Sequence, residues 1–109
     1  MQANLKKSTR NNHFFNKLLN FIIMKEGYYG QIMLFAGNFA PEDWEFCDGR
    51  LLTINENAIL FSIIGTTYGG NGQVNFAIPD LRGEVPKHQG KGLGLNYVIC
   101  VNGQFPERP

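Results

Sequence analysis

Apolar positions that recur at every second residue predict a body built from short β-strands. Residues 31–36 form a first apolar run, which Gly37 ends. Residues 44–47 alternate large apolar side chains with small or charged ones, as a half-buried strand does. Residues 95–101 are apolar at both sets of alternating positions, which predicts a final strand buried on both faces. We expect the first and last of these strands to lie side by side.

Turn signals divide the rest of the body into shorter strands. Asp48-Gly49 follows residues 44–47 and is a strong signal for a two-residue hairpin, with residues 50–52 as the returning strand. Residues 74–78 alternate apolar and polar side chains before Pro79, which predicts another short strand.

A single short helix is predicted over residues 55–64. Thr53 and Glu56 match the capping box that precedes many helices, with Asn55 as a competing cap, and Gly65 can end the helix. Because nearly all of its side chains are apolar, we expect the helix to be almost entirely buried, against a sheet or against a neighbouring chain. The pattern as a whole predicts a small, mostly β, α+β fold with one short buried helix.

Length and charge narrow the classes of function. A chain of 109 residues holds one domain at most. Residues 1–25 carry five basic groups and no acidic one, whereas residues 26–109 carry five basic and nine acidic groups, a net charge of −4. A domain of that sign is poorly suited to nucleic acid, which is bound through phosphate neutralisation. The longest apolar run is too short for a membrane span.

The composition changes at Met24. On this basis we divide the chain into an extension at residues 1–26 and a domain at residues 27–109, which begins shortly after that change. Glycine, proline and acidic residues are absent before Met24 and frequent after it. The first segment is interpreted either as an extension or disordered tail upstream of the true start, or as an amphipathic helix that docks on a partner or a membrane surface. The helical alternative rests on one apolar face formed by Phe14, Leu18, Phe21 and Ile22.

The residue types that perform catalysis or bind metals are not arranged in a productive pattern. His13 and His88 are the only histidines, and neither belongs to a recognisable catalytic or metal-binding motif. Cys47 and Cys100 lack the CxxC spacing of zinc sites; we interpret them as buried thiols, and a disulfide between them stays open. We therefore expect no catalytic residue, no cofactor and no metal.

Three polar or glycine-rich motifs are interpreted as structural. The segment Gly69-Gly70-Asn71-Gly72 lacks the following helix that a phosphate cradle needs. The acidic residues around residue 45 do not have the spacing of a calcium loop, so a solvated polar face is expected. Asp80 and Arg82 share one face of an extended segment, where they can pair as a structural clamp; an arginine that contacts a ligand is the alternative. The aromatic residues are interpreted as core, with exposure of Trp44 or Tyr68 as the sign of a sugar-stacking surface instead.

The order of these motifs resembles the phage tail collar domain, which occurs in short tail fibres and in proteins called microcystin-dependent. The resemblance rests on residues 35–41, Trp44, Cys47-Asp48-Gly49, residues 65–70 and Pro79-Asp80-Leu81-Arg82-Gly83. It covers residues 30–109 in two pieces. Between them, residues 90–94 run almost directly into the last strand, whereas the family has a longer segment there. The chain therefore looks like a shortened collar, and the shortening puts a receptor-binding role in doubt.

The resemblance implies a structural or attachment module without enzymatic activity. It implies a homo-oligomer, with a trimer favoured, tail fibre or baseplate proteins as partners, and a place in a virion tail or prophage-encoded particle, or in the bacterial cytoplasm before assembly. A small module that binds a surface glycan and a decayed prophage remnant are the alternatives. The residues expected to carry the architecture are Trp44, Cys47, Asp48, Gly49, Gly69, Gly70, Pro79, Asp80, Arg82 and Gly83.

Overall fold

A computed structural model describes residues 26–109 as a mostly β, α+β fold with one short helix. The predicted extension lies, apart from Glu26, outside the described residues. The elements in chain order are β1 (Ile32–Phe35), β2 (Trp44–Phe46), β3 (Leu51–Thr53), α1 (Ala58–Ile64), β4 (Asn75–Ala77), β5 (Lys87–His88), β6 (Lys91–Gly92) and β7 (Asn96–Cys100). Within the described range, no helix has the length and apolar character needed to cross a membrane.

The last strand is the centre of the main sheet. β7 lies between β1 and β2 and is antiparallel to both, so the predicted contact between the first and last strands is confirmed. Ile99 is opposite Ile32 on one side and Glu45 on the other. Val98, Ile99 and Cys100 are each no more than 1% exposed, which confirms the predicted burial on both faces.

The hairpin predicted at Asp48-Gly49 is wrong. Gly49 has the expected positive φ of 80°, but β2 pairs with β7, and β3 pairs with β4 instead of returning along β2. The turn signal is local, whereas the hydrogen-bonding edge of β2 is taken by a strand about fifty residues further along the chain. A third sheet, β5 with β6, was not predicted because its Lys, His and Gly residues carry no apolar alternation.

The helix is shorter and more exposed than predicted. It begins at Ala58, and Asn57 occupies the N-cap position without a capping bond from its side chain. The predicted capping box does not form because Thr53 is the last residue of β3. Gly65 ends the helix as expected, with φ of 56° and its N–H donated to the Phe61 carbonyl at 2.8 Å.

One face of the helix remains open to solvent. Leu60 is fully buried, whereas Ile59 is 43% and Ile63 is 39% exposed. Two helical turns resting on one core can bury only one side, so the prediction of nearly complete burial is wrong for a single chain.

The core forms where the main sheet, the β3–β4 pair and the helix meet. Its fully buried large side chains come from all three units: Ile99 from β7, Phe76 from β4 and Leu60 from α1. Phe61 adds a tilted ring contact with Phe76 at a centroid distance of 5.3 Å. Elements distant in sequence are thus joined through a single cluster.

Gly70 is constrained both by its backbone conformation and by close packing against β4. Its φ is 93°, and a Cβ at this position would collide with the Cα atom of Phe76. We expect Gly70→Ala to lower the free energy of unfolding by about 3 kcal/mol or more, because it adds a backbone clash to the cost of a left-handed conformation. Urea unfolding at fixed protein concentration measures the change.

The matched control is Gly83→Ala. Gly83 has a similar φ of 86° but no atom within 4 Å of the added methyl group. It should therefore lose only about 1 kcal/mol. Equal losses for the two variants would show that the close approach of Gly70 to β4 contributes nothing.

Candidate functional site

Two of the sequence motifs meet to form a backbone corner, which we call the Asp48–Asp80 corner and which comprises residues 47–50 and 78–82. Asp48 and Asp80 form an isolated antiparallel bridge. On either side of it, Gly49 N–H donates to the Pro79 carbonyl at 3.1 Å and Leu81 N–H donates to the Cys47 carbonyl at 2.9 Å. The segment after β2 is thereby fixed to the segment after β4.

Glycine is required at the centre of this corner. A Cβ added to Gly49 would lie 3.1 Å from the Cβ of Asp80, and the φ of 80° is in the left-handed region. Pro79 is buried beside it. The glycine of Asp48-Gly49 is therefore explained by its close approach to Asp80 and not by the predicted hairpin.

The corner contains the same ion pair twice. Asp80 accepts from the Nε of Arg82 at 2.8 Å and from its Nη2 at 2.7 Å, which confirms the predicted pairing. Asp48 holds Arg50 in the same way, with distances of 3.0 and 2.7 Å. In each case the backbone N–H of the arginine also donates to the aspartate Oδ1 at 3.2 Å.

Sequence reasoning missed the first of these pairs. The signal was present, since Asp48-Gly49-Arg50 has the same Asp-x-Arg spacing as Asp80-Leu81-Arg82. Arg50 also donates through Nη1 to Glu45 at 2.7 Å. Part of the acidic cluster around residue 45 is therefore neutralised by a basic partner rather than left as a solvated face.

Hydrogen bonds from the two arginines lower the pKa values of the two aspartates. The side chain and backbone of Arg82 lower the pKa of Asp80 to about 2. The Arg50 side chain likewise lowers the pKa of Asp48, against an opposing effect of partial burial. Both carboxylates stay ionised near neutral pH and already have partners, which suits a structural clamp rather than proton transfer.

Both cysteines are free thiols in buried positions, as interpreted from the sequence. Burial, with a smaller contribution from the Asp48 charge, raises the pKa of Cys47 to about 11. Burial is also the main reason that the pKa of Cys100 is raised. Thiols with raised pKa values are weak nucleophiles. Among the described residues, no group of three or more His, Cys, Asp or Glu side chains could hold a metal ion.

The glycine-rich loop satisfies its own polar groups. The Asn71 side chain accepts from the backbone N–H groups of Gln73 and Val74 at 2.8 and 2.9 Å, and Asn75 returns a side-chain oxygen to the Asn71 N–H. The strand β4 follows the loop. Loop amides that are bonded internally are not available to cradle a phosphate. The role of Asn71 was missed, although an asparagine between glycines is typical of such side-chain-closed turns.

The predicted architectural residues fall into separate groups. Cys47, Asp48, Gly49, Pro79, Asp80 and Arg82 come together at the corner. Gly69 and Gly70 approach β4 instead, and Trp44 is half-buried on β2, opposite Cys100. Gly83 has open space around it. Tyr68, interpreted as core, is 50% exposed, because it precedes the loop rather than a core strand.

These features define a small β-rich structural module whose signature motifs bond to one another. The family model of the Phage Tail Collar Domain matches residues 30–86, more than half of the chain. The chain belongs to the phage tail collar domain family.

A tail fibre protein is among its relatives. The chain is 38% identical over 78 residues to the short tail fiber protein gp12 of Enterobacteria phage T4. The match covers 70% of this chain and 15% of the length of that protein.

Acid should weaken the Asp80–Arg82 pair in a defined window. Because the pKa of Asp80 is lowered from its ordinary 3.8 to about 2, its stabilising effect is complete above about pH 4 and is lost as the pH falls through about 2. We expect Asp80→Asn to be less stable than the unmodified protein at pH 7, with a difference that shrinks as the pH falls below about 4 and disappears only below about pH 2. Chemical unfolding midpoints across this range measure it.

Glu84→Gln serves as the control, since Glu84 has no ion-pair partner among the described residues. It should leave the acid limb of the stability profile unchanged. A difference between Asp80→Asn and the unmodified protein that persists undiminished at pH 2 would contradict a role for the ionised pair.

Proposed function

We propose that this chain is a non-catalytic structural module of a phage tail fibre or of a related, prophage-encoded particle. The observation that carries the proposal is the Asp48–Asp80 corner, where the motifs that mark the family are used to join two segments of the fold. Both arginines are paired with aspartates, and the nearby thiol is buried with a raised pKa. Groups committed to each other in this way support architecture rather than a reaction.

The proposed module assembles as a homotrimer. Its helix exposes Ile59 and Ile63, one turn apart, and the outer strand β1 exposes Ile32 and Leu34. Ile63 lies beside Gly30, two residues before β1, so the helix is close to the start of that strand. Burial of such side chains between copies is favourable. Tail fibre or baseplate proteins are the further partners, and the virion tail is the proposed location, after synthesis in the bacterial cytoplasm.

Residues 27–109 are proposed as the folded unit, because the described elements and their core lie within them. A segment of residues 24–109 should then melt cooperatively. An uncooperative melt would favour a decayed prophage remnant instead.

Binding of a surface glycan, without a role in a phage particle, is the second candidate function. The observation in its favour is Tyr68, an aromatic residue half exposed beside the glycine-rich loop. Aromatic rings of this kind can pack against the apolar face of a sugar.

Light scattering after size exclusion tests the proposed assembly. We expect the protein to have three times the mass of one chain, and Ile59→Ser with Ile63→Ser to shift it towards a monomer. The control is Val74→Ser, which changes an apolar residue that is 64% exposed beside β4 instead. A well-folded monomer at all concentrations would contradict the trimer and leave glycan binding as the leading candidate.

A further inference from the structure

A cleft of about 310 Å³ opens beside the Asp48–Asp80 corner. It lies between the end of β2, the turn after Pro79 and the first residues of β7. Its apolar lining includes Phe46, Leu81 and Val85, and its polar lining includes Arg82, Asn96 and Tyr97. Ligand pockets in proteins begin at about 300 Å³, so the cleft has room for one small molecule.

Three polar residues that line the cleft have side-chain atoms without a hydrogen bond to any described residue. Arg82 binds Asp80 through Nε and Nη2, which leaves Nη1 without a partner among the described residues. Asn96 donates through Nδ2 to the Gly37 carbonyl, and its Oδ1 accepts no hydrogen bond from residues 26–109.

The Tyr97 hydroxyl likewise has no hydrogen-bond partner in the described part of the chain. It still reaches solvent, since no buried side-chain nitrogen or oxygen there lacks a partner. The cleft therefore offers a donor, an acceptor and a group that can be either.

The two charged side chains that line the cleft already have partners of opposite charge. Arg82 is paired with Asp80, and Asp48, which also lines the cleft, is paired with Arg50. A strongly anionic or cationic ligand would have to compete with these partners. A ligand whose hydroxyl groups both donate and accept would match the free atoms, and its C–H surface could pack against the apolar lining and the Tyr97 ring.

We propose that this cleft binds one neutral sugar unit. Arg82 Nη1 donates to a sugar oxygen, Asn96 Oδ1 accepts from a sugar hydroxyl, and the Tyr97 hydroxyl does either. Tyr68 does not line the cleft, so this site differs from the exposed loop aromatic. The assignment concerns this surface alone and does not depend on assembly into a trimer.

Titration of the full-length protein with simple sugars, followed by amide chemical shifts in NMR spectra, tests the site. The probes are the methyl glycosides of glucose, galactose, mannose and N-acetylglucosamine, with glucose 6-phosphate and N-acetylneuraminic acid as charged comparisons. We expect at least one neutral glycoside to shift the amide signals of Arg82, Asn96 and Tyr97 in a saturable manner, more strongly than the charged sugars do.

Matched variants locate the binding. Tyr97→Phe removes one hydroxyl from the cleft and should weaken binding about five- to tenfold, the effect of one hydrogen bond. Tyr68→Phe makes the same change on the exposed loop and should have no effect. Asn96→Ala is a second test of the cleft, in case Tyr97→Phe disturbs the core, because Asn96 is exposed. Its control is Asn38→Ala, which makes the same change at another exposed residue.

Three results would overturn the proposal. Absence of saturable shifts with every neutral glycoside would show that the cleft does not bind sugars of this class. Shifts with only the charged sugars would assign it to anions. Shifts centred on residue 68, weakened by Tyr68→Phe and not by Tyr97→Phe or Asn96→Ala, would place sugar binding at the loop. None of these results depends on the mass measured by light scattering.

Discussion

The pairing of β7 with both β1 and β2 is the constraint on which the rest of the structure depends. β1 and β2 do not pair with each other; each is held by β7. The family match ends at residue 86, so the central strand of its main sheet comes from a segment beyond it. Val98, Ile99 and Cys100, buried on both faces, fix that segment in place. The part of the chain that matches the family model is thus completed by β7, which follows the short segment at residues 90–94.

The Asp48–Asp80 corner connects the β3–β4 pair to the main sheet. It joins the segments that follow β2 and β4, and each of these segments contains one Asp-x-Arg ion pair. Exposed ion pairs contribute little to stability individually, and the backbone bonds together with the close approach of Gly49 to Asp80 provide the geometry. The aspartates and arginines of the corner are paired with one another in this way, and Arg82 also lines the neighbouring cleft together with Asn96 and Tyr97.

Local periodicity was sufficient to predict the strands β1, β2, β4 and β7, and the Asp80–Arg82 pair followed from its spacing. Strand partners were harder to predict. The Asp48-Gly49 signal was read as a hairpin because turn rules consider only neighbouring residues, and β7 competes for β2 from far along the chain. Exposure of Ile59, Ile63 and Tyr68 could not be predicted either, since an apolar residue at a chain-to-chain contact has the same sequence pattern as one in a core. The β5–β6 hairpin carries no apolar signal at all.

Hydrogen exchange of the backbone amides tests the central position of β7 most directly. Every amide of a strand paired on both sides is bonded to one neighbour or the other, and opening β7 requires loss of the main sheet. We predict that the amides of Val98, Ile99 and Cys100 exchange most slowly in the protein, at a rate set by global unfolding. Exchange of these amides well before those of β3 and β4 would contradict the account, because it would show that β7 detaches while the rest of the fold remains.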